Sequence, residues 1–357
     1  MTILEVDLCH QFKSGFELDI HFKIKNQITS IFGASGSGKT SITSMIAGLT
    51  KPNHGKVILN KRTLFDSYSH IDVPISQRKI GIIFQNHLLF PHLDVKSNLQ
   101  YGIRRFSRHQ SSTDLLRVCE VLEISHLLKR YPKHLSGGEC QRVAIGRTLL
   151  SSPEALLMDE PLASLDDRLK DSILNYFDRI LEEWQIPTIF ISHNQSLVQR
   201  FSSHTIVVDH GKVLSTGLTA DIIENHGPDI WKSAKGPINL LDIDSLEQDG
   251  ESSYALICGQ KIQLPSINQA SNQKMYIQFS ASDVVLSSNI IVNISTRNHL
   301  LGVVRRIVEQ NSNILVAIDV GTIIWSKITM GAQKDLQLKI GCQIYCMIKT
   351  QSLEIVI

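Results

Sequence analysis

Long apolar runs are missing from the 357-residue chain, whose charged residues interrupt every hydrophobic stretch. None approaches the roughly 20 residues of a membrane-spanning helix. The opening stretch, MTILEVDLCHQF, lacks the basic-then-apolar pattern of a secretory signal. Any work at a membrane is therefore expected to go through partners. Neither sign of charge dominates, with 36 Lys and Arg against 34 Asp and Glu and a formal net charge of +2. That balance argues against nucleic acid or an anionic membrane as the main partner. Cysteine is sparse, and Cys342 with Cys346 lacks the second Cys/His pair that a structural zinc site requires. Reduced thiols in a cytosolic protein are expected. No sequence repeat is long enough for a solenoid.

What is present is a 42% apolar share with 20% charged residues, enough to bury a sizeable core in two or three domains. Up to about residue 214, short apolar runs alternate with amphipathic stretches, the pattern of an α/β domain with a largely parallel sheet. NQITSIFG, ALLMDEP and PTIFISHN predict buried strands, and residues 37–49, 141–150 and 169–184 predict helices. Mostly helical text between about residues 93 and 131 predicts a helical insert, a subdomain of about 88–135. The first domain is expected to span 1–235, with a linker and first β segment over 236–290. Beyond these, NILVAIDVGTIIWSKI and CQIYCMIKT alternate apolar and polar residues with many β-branched side chains, the mark of a small all-β module over 291–357.

The chemistry concentrates at strand ends. GASGSGKT (Gly33, Ala34, Ser35, Gly36, Ser37, Gly38, Lys39, Thr40) follows an apolar strand and opens a helix, as a Walker A phosphate loop does. Glycines let backbone N–H groups close around phosphates, Lys39 supplies charge to the β/γ oxygens, and Thr40 can ligate magnesium. ALLMDEP delivers Asp159 to a strand end, where it can hold the metal, and Glu160 beside it can polarise a water. Gln85 in IIFQN and His193 in ISHN stand at two further strand ends, with side chains able to reach the metal, the water or the γ-phosphate. HLSGGEC adds a second Gly-rich turn ahead of a helix, another ready anion site.

Taken in order, these motifs resemble the ATP-binding cassette family from residue 1 to about 226. The resemblance implies that two cassettes pair head to tail. The signature of one (Leu135, Ser136, Gly137, Gly138, Glu139) would grip the γ-phosphate on the other's Walker A loop, which explains two anion loops in one chain. It also implies that Ser41 joins the ATP site, that Ser164 and Asp166 of the LASLD turn serve the dimer contact, and that an upstream aromatic stacks on adenine. Phe12 is the candidate and Phe16 the alternative. Three positions depart from the family's habit: Glu139 where many relatives have Gln, Cys140 where a basic residue is usual, and Asn194 where Asp or Ser is usual. None removes a catalytic group.

NHLLFPHLDVKSNLQYG resembles the importer-type segment that faces membrane subunits, and STRNHLLGVV resembles the Ser-x-Arg-Asn opening of small molybdate-binding modules. IIWSKIT and MIKTQSLEIVI match the later strands of those modules. A tetrahedral oxyanion wants amides, hydroxyls and cations, types that Ser295, Arg297, Asn298, Lys349 and Thr350 supply. As a whole the chain resembles the ATP-binding subunit of a bacterial molybdate importer. The resemblance implies a P-loop α/β cassette with a helical subdomain and then an OB-like barrel, using ATP and Mg2+. Its implied partners are a second copy, membrane permease subunits, a periplasmic molybdate-binding protein and molybdate at the C-terminal module, with no nucleic acid. It would lie peripherally at the cytoplasmic face of the inner membrane. Import of tungstate or sulfate is the near alternative, and a soluble cassette ATPase in repair or translation the distant one.

Overall fold

The computed structural model describes residues 3–25, 28–84, 88–106, 112–162, 176–181, 183–230, 236–249, 252–265, 275–310 and 313–356. Gln85, Ser164 and Asp166 lie outside these. The chain divides into two compact units, Met1–Thr219 and Ala220–Ile357.

Unit one is built on β1 (Leu4–Gln11), β2 (Glu17–Ile24), β3 (Ile28–Phe32), β4 (His54–Leu59), β5 (Arg62–Asp66), β6 (Ile71–Asp72), β7 (Ile80–Ile83), β8 (Ala155–Asp159), β9 (Thr188–Ile191), β10 (His204–Asp209) and β11 (Lys212–Leu218). Among the described residues these join in the order β6-β5-β4-β1-β2-β11-β10-β3-β9-β8-β7. The expected largely parallel sheet covers only part of this. Strands β7, β8, β9, β3 and β10 run parallel, while β1, β2, β4, β5 and β6 pair antiparallel. Burial explains the difference. TIFI of β9 is buried throughout, as a strand covered on both faces must be. ELDIHFKI of β2 alternates exposed and buried without exception, as a half-solvated antiparallel strand does.

Helices α1 (Lys39–Ala47), α2 (Val95–Phe106), α3 (Ser112–Val121) and α4 (Gly137–Leu149) follow, so α1 starts two residues later and α4 four residues earlier than the apolar pattern predicts. Of the helix expected over 169–184, residues 176–181 and 183–184 are helical and 169–175 lie outside the described residues. Val95 and Leu99 of α2, Val118 and Leu122, and Val143 and Ile145 of α4 share one core with Leu156 and Met158 of β8, so the insert is packed onto the strand that carries Asp159.

The C-terminus of α1 is held by a buried cation. Arg78, 2% exposed, donates to the carbonyls of Met45, Ile46 and Val73 and to Asp72. These carbonyls include ones a helix end leaves unsatisfied. Arg78→Met is expected to destabilise unit one by about 3 kcal/mol, because each hydrogen bond from a charged donor is worth about 1.5–3 kcal/mol. Thermal unfolding of the purified variant checks this, and an unchanged midpoint would remove the anchoring role.

Unit two departs from expectation in its boundary. The segment read as a linker and first β segment does not stand apart. It forms β12 (Ile238–Asp242), β13 (Ser245–Asp249), β14 (Ser252–Ile257), β15 (Gln260–Leu264), β16 (Tyr276–Ser280) and β17 (Val284–Ser287). These fold together with β18 (Asn298–Gln310), β19 (Asn313–Asp319), β20 (Ile323–Thr329), β21 (Gln343–Ile348) and β22 (Glu354–Val356). Strand β16 lies between β12 and β22, and β17 edges the sheet β17-β21-β18-β19-β20. One apolar core, including Leu241, Ile262, Phe279, Val316 and Ile344, runs through early and late strands alike, so the expected first β segment packs with the strands that follow it. The edges of the five-stranded sheet meet where the Ser326 hydroxyl on β20 donates to the Val284 carbonyl on β17 at 2.8 Å, curling it toward a barrel. Midway along the helix Thr219–Ile230, the guanidinium of Arg306 on β18 donates to the carbonyls of Glu224 and Asn225.

Candidate active site

The phosphate loop forms as its residues require. Gly36 and Gly38 have φ of 80° and 103°, the left-handed region that glycine adopts without penalty, and Gly38 caps α1. Gly33 is fixed by space instead: a Cβ there would lie 2.1 Å from the Val208 carbonyl oxygen. The turn between β10 and β11 supports the loop from below, with the Gly211 N–H donating to the Ser37 carbonyl at 3.0 Å. Lys39 is folded back, its ammonium donating to the carbonyls of Gly33 at 2.9 Å and Ala34 at 2.8 Å. Burial pushes its pKa down, while the Glu160 and Asp159 charges oppose that shift.

A cavity of about 330 Å3 opens over the loop, lined by Phe12, Ser14, Phe16, Ser35, Gly36, Gly38, Lys39, Thr40, Ser41 and Glu160. Both aromatic candidates line it. His10 packs edge-on against Phe12 with centroids 4.5 Å apart, and Phe12 lies 5.8 Å from Phe16. Ser14 and His10 escaped the sequence reading, since a turn serine and a strand histidine carry no motif.

The half-buried carboxyl of Asp159 has its pKa pushed up by desolvation and accepts a hydrogen bond from Thr40, which lines the cavity. Glu160 follows with φ of 45°, its N–H held by the Ile191 carbonyl. His193 Nδ1–H donates to Glu160 Oε1 at 2.8 Å, so the two expected catalytic side chains meet. Asn194, the departure beside His193, caps the helix Gln195–Phe201 by accepting from the N–H groups of Ser196 and Leu197. It acts on the backbone, which fits its short amide. A hard, all-oxygen pair, the Thr40 hydroxyl and the Asp159 carboxylate, suits Mg2+, and a half-buried carboxylate whose pKa desolvation raises is a group that a cation would relieve.

The second Gly-rich turn is built by Ser136 and Glu139. Ser136 caps α4 by accepting from the Glu139 N–H at 3.3 Å, and Glu139 Oε2 accepts from the Ser136 N–H at 2.7 Å, a reciprocal capping box. Leu135 packs against the helical-subdomain core. The Cys140 thiol, partly buried, lies 3.9 Å from the Pro132 carbonyl.

In unit two, Asn298 opposes Ile348 at one end of the β18–β21 ladder, which brings the chain ends bearing Arg297 and Lys349 to the same end of the sheet. Ser295, Arg297 and Lys349 are exposed. Asn298 differs: it is 1% exposed, and its amide both accepts from the Gln263 N–H and donates to the Gln263 carbonyl. Its side chain is thus engaged in holding β15 to β18. The hydroxyls of Thr350 and of Thr296, a residue the type-based selection of ligands passed over, are buried without a hydrogen-bond partner.

The sequence profile of the ABC transporter family matches residues 18–163, and that of the TOBE domain residues 294–355. The chain is 36% identical to the molybdenum import ATP-binding protein ModC of Haemophilus ducreyi over 356 residues, 98% of this chain and 100% of that one. It therefore belongs to the ABC-type ATPases, in the family of the molybdenum import ATP-binding proteins. The ModC protein of Rhizobium meliloti is likewise 36% identical over 344 residues, 95% of this chain and 96% of its own length. Among solved structures, cbiO1 of Clostridium perfringens, part of an ABC transporter complex, superposes with a TM-score of 0.55 at 25% identity, covering 63% of this chain and 91% of its own. A dimeric ATP-binding cassette in a post-hydrolysis state with ADP and Pi gives 0.52 at 26% identity, covering 61% and 99%. ATP is accordingly the nucleotide of this family's cavity. No helix among the described residues is long and apolar enough to cross a membrane.

Proposed function

We propose that the chain is the ATP-hydrolysing subunit of a molybdate importer, driving membrane permease subunits as a head-to-tail dimer at the cytoplasmic face of the inner membrane. A periplasmic molybdate-binding protein would deliver the substrate. The observation that carries the reading is that relatives named for molybdenum import align with this chain from end to end, through both units. In this reading Lys39, Thr40, Ser41 and the loop amides hold the phosphates, Phe12 stacks on adenine with Phe16 behind it, and Thr40, Asp159 and Gln85 hold Mg2+. Bound Mg2+ would neutralise phosphate charge. Glu160 polarises the attacking water and His193 orients Glu160. Ser136 to Gly138, flanked by Leu135 and Glu139, complete the partner's site, and Ser164 and Asp166 face the dimer contact.

The C-terminal anion site is supported by two buried hydroxyls without partners, Thr296 and Thr350, at the sheet end that carries Arg297 and Lys349. A buried polar group ordinarily has a partner, and an oxyanion would supply one. Ser295 adds a hydroxyl, and Asn298 fixes the strand beside them. The test is transport: the chain should copurify with a membrane permease, and vesicles holding the pair, supplied with the molybdate-binding protein, should accumulate labelled molybdate on ATP, but not with Lys39→Ala. Accumulation of sulfate alone, or no membrane partner, would overturn the reading.

Ser136→Arg should leave a chain's own phosphate loop intact yet block its partner's γ-phosphate contact by bulk. In mixed dimers, Ser136→Arg and Lys39→Ala chains place both lesions in one site and spare the other. Activity near half of the parent is expected. Dimers with two dead sites would contradict head-to-tail pairing.

A further inference from the structure

The signature turn already holds an anion, and it is the chain's own. Glu139 seats one carboxylate oxygen on the Ser136 N–H at 2.7 Å, and that hydrogen bond, with burial opposing it, holds the Glu139 pKa below the usual carboxylate range. The other oxygen lies 3.8 Å from Arg130 Nη1, with Glu139 largely shielded at 18% side-chain exposure and Arg130 at 52%. A carboxylate here does two separable things. As a hydrogen-bond acceptor it fixes the extended backbone of Ser136 and so shapes the turn. As a charge, it occupies the positive end of α4, where helix amides favour any anion.

We infer that Glu139 sets the ATP concentration the cassette needs to pair. Its carboxylate competes with the partner's γ-phosphate for the α4 N-terminus, and Arg130 moderates that competition. The inference rests on the head-to-tail reading above. A phosphate reaching the Ser136–Gly138 amides meets a negative charge already bonded to one of them, and like charges at one helix end oppose each other. A glutamine keeps the acceptor oxygen and loses the charge. Arg130→Ala keeps the charge and loses its neutraliser. The two changes therefore act in opposite directions, which a purely structural role for the cap would not produce.

The experiment titrates the full-length chain with Mg2+ and the non-hydrolysable analogue AMP-PNP and reads the dimer fraction by sedimentation velocity. Glu139→Gln is expected to dimerise at roughly two- to fivefold lower nucleotide, the ordinary worth of one charge at a helix N-terminus, and Arg130→Ala at higher nucleotide than the parent. Thermal unfolding reports the fold separately. Should Glu139→Gln need as much nucleotide as the parent, or more, the inference falls while head-to-tail pairing stands. Should the parent not dimerise at any concentration, the pairing itself falls and this inference with it.

Discussion

Glu160→Gln is expected to lower steady-state ATP hydrolysis by about a hundredfold or more, the usual contribution of a positioned general base, while ATP is still bound and closed dimers accumulate. The reason is local. The carboxylate sits beside the phosphate loop in the same cavity and is oriented by His193 at 2.8 Å. The amide can still accept from His193, so the constellation survives without its proton acceptor. Lys39→Ala should behave differently and lose binding itself, because the lost ammonium belongs to the phosphate cradle. ATPase rates together with gel filtration in ATP separate the two outcomes. A Glu160→Gln chain that hydrolyses ATP at the parent rate would remove the assigned role.

Replacing Arg297 and Lys349 together by alanine is expected to abolish the response of the assembled transporter to internal molybdate. An anion bound between two such modules shifts the cassettes only through different affinities for their open and closed states. If it favours the open state, molybdate slows hydrolysis, a feedback suited to an importer whose product accumulates. Each lost charge-assisted contact is worth about 1.5–3 kcal/mol, so the pair should raise the half-inhibitory concentration at least a hundredfold. The measurement is the ATPase rate against added molybdate, with sulfate as the control anion. A flat response in the parent, or an identical one in the double variant, would leave the module without this regulatory part.

Why some of this was legible in the sequence and some was not follows from where the interactions lie. ALLMD and TIFI announce themselves because central parallel strands are apolar on both faces. The antiparallel half of unit one was harder. The alternation of ELDIHFKI marks a strand, but nothing in it reveals that β2 pairs with β1 on one side and β11 on the other. Residues 236–290 were legible only as a linker and a first β segment: SLEQD and QKIQL are polar strands of short hairpins, and the core that Ile262 and Leu264 join is completed by strands far along the chain.

The site divides in the same way. Lys39, Asp159, Glu160 and His193 stand at strand or helix ends in recognisable order. Arg78 serves three carbonyls from two separate parts of the chain, Met45 with Ile46 and Val73, and no spacing encodes that. Ser136 and Glu139 do fit the S-x-x-E capping pattern. Reading the stretch only as a phosphate-binding turn hid its second use.

The placement of β22 beside β16 bears on how the molecule is made. Synthesis runs from the N-terminus, and domains generally fold as units as they emerge. Unit one ends at Thr219, so its strands can pair while the ribosome is still translating the rest. The sheet β12-β16-β22 instead waits for residues 354–356, far along the chain from its other two strands. Until those residues arrive, Tyr276–Ser280 presents an open strand edge, the kind that invites pairing with a neighbouring chain. A truncated message would leave that edge unfilled for good, giving a nascent product with a finished motor and an aggregation-prone tail.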